Sequence, residues 1–149
     1  MEVGAGYKNF STLLQAYTAS AQLRNNFDLI SFGTTSFNAD EMAMIRILGI
    51  QDKVHCASGN DQQLAQYYQA ATLFVYPSLY EGFGIPPLEA MHFGCPVACS
   101  NTSSIPEVVG TAAKLFDPTS AESMRAAMEE LVSRKYVRDR YIELGLRKT

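Results

Sequence analysis

Leu73-Phe74-Val75-Tyr76-Pro77-Ser78-Leu79-Tyr80-Glu81-Gly82-Phe83-Gly84-Ile85-Pro86-Pro87-Leu88-Glu89-Ala90 decides how the rest of the chain is read. Its first four residues are an unbroken apolar run, the pattern of a strand buried on both faces. Pro77 ends that strand, because it has no N–H to give to a ladder. Pro86 and Pro87 suit the first positions of a helix, where a missing N–H costs nothing. That helix is expected over residues 86–93, with Gly94 as its stop. A buried strand feeding a helix through a short turn is the repeating unit of a parallel sheet.

The same unit recurs outward in both directions. Upstream, residues 11–23 are expected as one helix with Leu13, Leu14 and Tyr17 on a common face. Residues 29–32 form a strand that ends at Gly33. Asn38 caps a helix carrying Met42, Ile45 and Leu48, which stops at Gly49. Residues 54–57 are a short strand. Asn60 opens a helix with Gln63 at the capping-box position and Leu64, Tyr67, Tyr68 and Ala71 on one face. Downstream, residues 96–99 and 112–116 are strands. Thr119-Ser120-Ala121-Glu122 reads as a capping box for a helix buried through Met124, Met128 and Leu131, and a last helix runs over 136–144. Met42, Met124 and Met128 are all expected in the core. The first strand is stunted, since only Val3 precedes Gly4. With no repeat and no linker, residues 1–149 read as one α/β domain, a parallel sheet covered by helices on both faces. Ligands bind such sheets beyond the carboxyl ends of the strands, so the loops that follow strands are where chemistry is sought.

Composition narrows the partners. With 12 Lys+Arg against 15 Asp+Glu the chain carries a net charge of −3, which argues against a nucleic-acid surface. Hydrophobic residues at 47% and aromatics at 11% supply a packed core and argue against disorder. The uncharged run 62–80 contains Gln62, Gln63, Gln66, Gln69 and Pro77, too polar and broken for a membrane span. Met1-Glu2-Val3-Gly4 has neither the basic start nor the apolar stretch of a secretory signal. The 3 cysteines are odd in number, and Cys95 and Cys99 lack the spacing of paired metal ligands. A reducing compartment, the cytoplasm, is therefore expected, with the thiols serving as small hydrophobes. Residues 121–149 mix Arg and Lys with Glu and Asp, as a solvated face does.

The turn before the Pro-Pro helix has the makings of an anion site. Backbone N–H groups point outward from the positive end of a helix, and Gly82 and Gly84 let a ligand approach the backbone. Glu81 and Glu89 flank this turn with Gly82 to Leu88 between them. The intervening turn is not helical, so the two carboxylates cannot share one helix face and the loop must fold back between them. Repulsion keeps both off a phosphate. A carboxylate can instead accept two hydrogen bonds from a vicinal diol, each charge-assisted bond contributing about 1.5–3 kcal/mol. A diphosphate joined to a ribose at one end and a sugar at the other presents diols on both sides, and a nucleotide-sugar matches that layout. In the competing reading Glu89 lies in the first helical turn and only offsets the helix dipole, worth about 0.3–1 kcal/mol, while Glu81 is a surface charge.

Glu81-Gly82-Phe83-Gly84-Ile85-Pro86-Pro87-Leu88-Glu89-Ala90-Met91, followed by Gly94-Cys95-Pro96-Val97, resembles the E-x7-E signature of family-4 retaining glycosyltransferases. The resemblance continues through Ser104-Ile105-Pro106-Glu107-Val108-Val109-Gly110, Ala112-Ala113 and Phe116-Asp117-Pro118. Val3-Gly4 and Tyr7-Lys8-Asn9-Phe10 resemble the turn after the first strand of the family's carboxyl-terminal domain, so nearly the whole chain is covered. The resemblance implies a Rossmann-like doubly wound sheet, one half of the GT-B fold, that binds the nucleoside-diphosphate sugar. It implies that Glu89 accepts the ribose hydroxyls and that Glu81 contacts hydroxyls of the donor sugar. Backbone N–H groups around Gly82, Phe83, Gly84 and Ile85 would hold the distal phosphate and the sugar. Lys8 matches the lysine that neutralises the diphosphate, the leaving group whose charge grows in the transition state. The base is expected near residues 55–59. His55 and His92 are read as structural. No Asp-x-Asp pair occurs, which agrees with a metal-independent GT-B enzyme and no cofactor beyond the donor substrate.

Two features depart from the family pattern. An Arg usually stands near that lysine, but only Ala5, Gly6 and Tyr7 lie between Gly4 and Lys8. The amino-terminal acceptor domain is not represented, so the chain is expected to be a domain that does not catalyse transfer alone. Any membrane contact, at the inner face, would come through that missing domain. The stunted first strand is expected to expose sheet edges or to drive self-association. The Gly-Tyr-Lys-Asn-Phe segment is similar to mannosyltransferase-type members, which makes GDP-mannose the first expected donor and a UDP-sugar the second. A non-catalytic nucleotide-sugar-binding or regulatory module is the alternative. A dinucleotide enzyme is disfavoured, because Gly4 and Gly6 lack a third glycine at position 9, which is Asn9.

Overall fold

The computed structural model describes residues 9–33, 35–80 and 85–149. In chain order these form α1 (Phe10–Thr18), α2 (Ala21–Asn26), β1 (Leu29–Phe32), α3 (Ala39–Leu48), β2 (Val54–Ala57), α4 (Asp61–Ala70), β3 (Phe74–Tyr76), α5 (Ile85–His92), β4 (Val97–Ser100), α6 (Ile105–Val109), β5 (Lys114–Phe116), α7 (Ala121–Ser133) and α8 (Lys135–Lys148). Every strand pair among them is parallel. The strands lie in two groups, β1 beside β2 and β3-β4-β5 in sequence order. Leu29 stands opposite Val54, Phe74 opposite Val97, and Ala98 opposite Lys114. A doubly wound sheet ordered 3-2-1-4-5-6 from the Val3 segment would have these two groups as its flanks. Val3 and the stunted strand expected there lie outside the described residues.

Alternation along the strands gives the sheet two apolar faces. Leu29, Val54, Val75, Ala98 and Phe116 pack with Leu13, Leu14, Leu23, Met124 and Leu131 of α1, α2 and α7. Phe74, Tyr76, Val97 and Cys99 point the other way, onto Tyr68, Ala90, Met91, Ile105 and Val109 of α4, α5 and α6. Strands buried on both sides need no polar positions, which is why they read as apolar runs.

Four expectations are corrected. Residues 11–23 are two helices, because Ser20 is extended and buried. Its hydroxyl accepts from the Leu23 N–H and donates to Glu129 Oε2 of α7 at 2.6 Å, so a tertiary bond breaks the helix that periodicity favours. Met42 is 48% exposed, since α3 faces the core through Ile45 with Met44 and Leu48 beside it. The start of α7 is not a box with Glu122. Ser120 is the cap and accepts from the Ser123 N–H, while Thr119 bonds to Asp117 through both its N–H and its hydroxyl. Residues 105–109, not foreseen as a helix, form α6 with Pro106 in its first turn. The cap at Asn38 is a full capping box with Glu41, and Asn60 closes the box with Gln63 that the sequence suggested.

Candidate functional site

The site is built from the carboxyl end of β3 outward. Pro77 and Ser78 leave the strand and are buried, whereas Leu79 is 41% and Tyr80 75% exposed, so the chain emerges into solvent as it approaches Glu81. On the far side of the turn α5 begins at Ile85, itself 54% exposed, and Pro87 is buried against the core. Gly94, at φ +76, lets the chain turn back after α5 into β4. Glu81, Gly82, Phe83 and Gly84, together with Lys8, lie outside the described residues. Of the residues singled out in the sequence, the structure describes Ile85 and Glu89.

Glu89 is the fifth residue of α5, and the first turn of that helix carries no acidic side chain. The expected first-turn position of Glu89 is corrected: it opens the second turn of α5, where the helix dipole acts less. Glu89 is exposed overall, and desolvation of its carboxyl group, with the charge of Asp61 second, shifts its pKa upward from the ordinary Glu value. Asp61 is the first residue of α4, whose cap Asn60 follows the β2 exit loop. That loop is the segment in which the base is expected. Ionisation of the Glu89 carboxylate is disfavoured unless a hydrogen-bond donor or a cation meets it.

The loops at this end of the sheet are tied together by side chains that the sequence did not single out. Asn9 donates through Nδ2 to the Pro77 carbonyl at 3.1 Å and to the Pro118 carbonyl at 2.7 Å. Ser100 donates to the Tyr76 carbonyl at 3.3 Å. The Thr102 hydroxyl lies 3.5 Å from the Ser78 carbonyl and 3.4 Å from that of Leu79. The one local signal was an Asn directly before a helix, which by itself points to a cap and not to a clamp.

Both histidines are exposed. His55 Nε2 lies 2.9 Å from Asp28 Oδ2 on the exposed surface, and His92 meets Phe93 edge to face. An apolar hollow of about 360 Å³, lined by Tyr17, Leu23, Phe27, Ile30, Leu73 and Met128, lies at the amino ends of β1 and β3. It is at the opposite end of the sheet from the loops in which such folds bind ligands. Among the described residues no helix is long and apolar enough to cross a membrane.

Residues 3–147 match the family described as "Glycosyl transferases group 1". The O-antigen chain mannosyltransferase B of Escherichia coli is 41% identical over 122 residues, 80% of this chain and 32% of its own length. Among solved structures, the C-terminal domain of a glycosyl transferase group 1 family protein from Francisella tularensis superposes with a TM-score of 0.84 at 18% identity, covering 99% of this chain and 80% of that one. The Anabaena protein HepE in complex with UDP-glucose also superposes, with a TM-score of 0.84 at 18% identity, over 97% of this chain and 41% of that one. This chain thus spans about a third of the length of the Escherichia coli mannosyltransferase, and its fold is the Rossmann-like half of a GT-B glycosyltransferase. On the match over residues 3–147, the chain belongs to the group 1 glycosyl transferases.

Proposed function

We propose that the chain is the donor-binding domain of a retaining glycosyltransferase. The whole protein moves a hexose, mannose before others, from a nucleoside diphosphate to an acceptor hydroxyl. The observation that carries this reading is strand β3 and helix α5 on either side of the sequence Glu81-Gly82-Phe83-Gly84, with Glu89 on α5, in a chain 41% identical to a mannosyltransferase. In this reading Glu89 accepts the ribose hydroxyls. Those donors satisfy a carboxylate that desolvation and Asp61 otherwise disfavour. Glu81 holds hydroxyls of the sugar, and the backbone of Gly82 to Ile85 holds the distal phosphate and the sugar at the start of α5. Lys8 meets the negative charge that grows on the departing diphosphate. No metal is called on, and the leaving-group charge is shared between Lys8 and the helix end. Glu81 is not assigned as a nucleophile, and departure of the diphosphate from the face that the acceptor attacks retains the anomeric configuration. The HepE complex with UDP-glucose supports a nucleotide-sugar in this fold, and the mannosyltransferase relative favours GDP-mannose over it.

The absence of an Arg between Gly4 and Lys8 favours a second reading, a module that binds the donor without transferring it. Thermal unfolding and calorimetry of the full-length protein with GDP-mannose and UDP-glucose test the first part. A cognate donor at about 100 times its Kd stabilises by about 2.7 kcal/mol. Transfer to an acceptor then separates enzyme from module, and indifference to both nucleotide-sugars would overturn the donor reading.

A further inference from the structure

Beyond β3 the carbonyls of Tyr76, Pro77, Ser78 and Leu79 each face a side-chain donor from a distant part of the chain, namely Ser100, Asn9 and Thr102. We propose that Asn9, assisted by Thr102 and Ser100, is a positioning residue that fixes the entry to the glycine turn against the start of α1. It thereby ties residues 76–79, which precede Glu81 in sequence, to its own position directly after Lys8. The proposal rests on the donor reading above.

The geometry is the first support. A side-chain amide nitrogen has two hydrogens, and Asn9 directs both at carbonyls, one in the loop after β3 and one in the loop after β5. One buried side chain thus joins three segments at the carboxyl end of the sheet. The second support is what Asn9 gives up. Asn38 and Asn60 occupy the same place relative to α3 and α4, are extended, and cap their helices through their side chains. Asn9 is left-handed at φ 67 and makes no side-chain cap. A capping bond is forgone and an unusual backbone region occupied in order to reach Pro77 and Pro118. Strain retained in this way concentrates where geometry serves function. The third support is position in the chain. Asn9 follows Lys8 directly, and Tyr76 to Leu79 lead into Glu81 with only Tyr80 between. Glu89 stands on α5, outside the clamp. Loss of the clamp should therefore disturb transfer more than it disturbs ground-state binding of the nucleoside.

The test is Asn9→Gly in the full-length protein. Glycine adopts φ 67 without strain, so the backbone is kept and the amide bonds go. Hydrogen exchange at Ser78, Leu79 and Tyr80 is expected to rise at least tenfold while β4 is unchanged. With whichever of GDP-mannose and UDP-glucose the wild-type protein turns over, kcat is expected to fall at least tenfold and the donor KM to rise by a clearly smaller factor. Unchanged exchange would overturn the clamp. Raised exchange with wild-type kcat would overturn its positioning role, and so would equal losses in kcat and 1/KM, which mark a general defect. If Asn9→Gly does not fold, Thr102→Val is read against the same outcomes. A wild-type protein that turns over neither nucleotide-sugar sinks the donor reading and the positioning role with it, whereas the exchange result stands or falls on its own.

Discussion

Glu89 is exposed, yet desolvation of its carboxyl group and, second, the charge of Asp61 shift its pKa upward. The sign of the consequence is fixed. An acid whose pKa is higher in the folded state than in the unfolded state works against folding once it ionises. Above the ordinary carboxylate range Glu89 therefore lowers stability, and the penalty fades as pH falls and the group is protonated. Glu89→Gln is expected to leave the thermal midpoint at neutral pH unchanged or higher, with the difference from wild type shrinking in acid. Glu89→Ala is expected to weaken nucleotide binding by about 2 kcal/mol, roughly 30-fold, from lost ribose hydrogen bonds. Calorimetry on the full-length protein measures this, and a lower midpoint with unaltered affinity would return Glu89 to a purely structural role. The residue types and their spacing were legible in the sequence. The helical turn that holds Glu89 was not, because it depends on whether α5 starts at Ile85 or Pro86.

Helix α5 is backed by α8, and the contact is close at one point. A Cβ built on Gly145 would stand 2.9 Å from Met91 Cγ and 3.1 Å from Met91 Cβ. In an open helix Gly→Ala is stabilising by about 0.8–1.0 kcal/mol. Here Met91 is 1% exposed and has no room to withdraw. Gly145→Ala is therefore expected to lower stability by about 1–3 kcal/mol, read as a lower urea midpoint, and a gain would show that α8 can move off α5 freely. At this scale the sequence was legible where a hydrogen bond is local. The caps at Asn38 and Asn60 bond over three residues, and both were read as caps, the second as a box with Gln63. It failed where a distant partner intervenes. The break at Ser20 depends on Glu129, 109 positions away. At the start of α7 it failed locally, since Ser120 caps through Ser123 while Thr119 turns back to Asp117.

Across the whole molecule, burial on both faces of the sheet sets the chemistry of the thiols. Cys95 and Cys99 are buried, and burial pushes both pKa values from 9.0 up to about 12. Cys56 is half-buried and raised more gently, by burial and by the charge of Glu41. Native protein at mildly alkaline pH is expected to show one thiol reacting readily with a thiol reagent, and all 3 cysteines only after unfolding. Rapid reaction of Cys95 or Cys99 in the folded state would contradict the packing. Unfolded thiols ionise near their ordinary value while the folded ones stay neutral, so stability is expected to fall as pH rises from 9.0 towards about 12. Tyr17 adds to this above its ordinary 10.0, being raised to about 12, chiefly by burial. Tyr17→Phe should flatten that upper part of the decline. The sequence by itself determined the alternation of strands and helices, the parallel sheet with two covered faces, the local caps and the turn between β3 and α5. These follow from periodicity, proline and glycine, whose effects act over a few residues. Only the tertiary structure decided that Asn9 clamps where Asn38 and Asn60 cap, and that one expected helix is two. The deciding bonds span 68 and 109 positions in the chain, and only the folded packing of the loops brings those partners within reach.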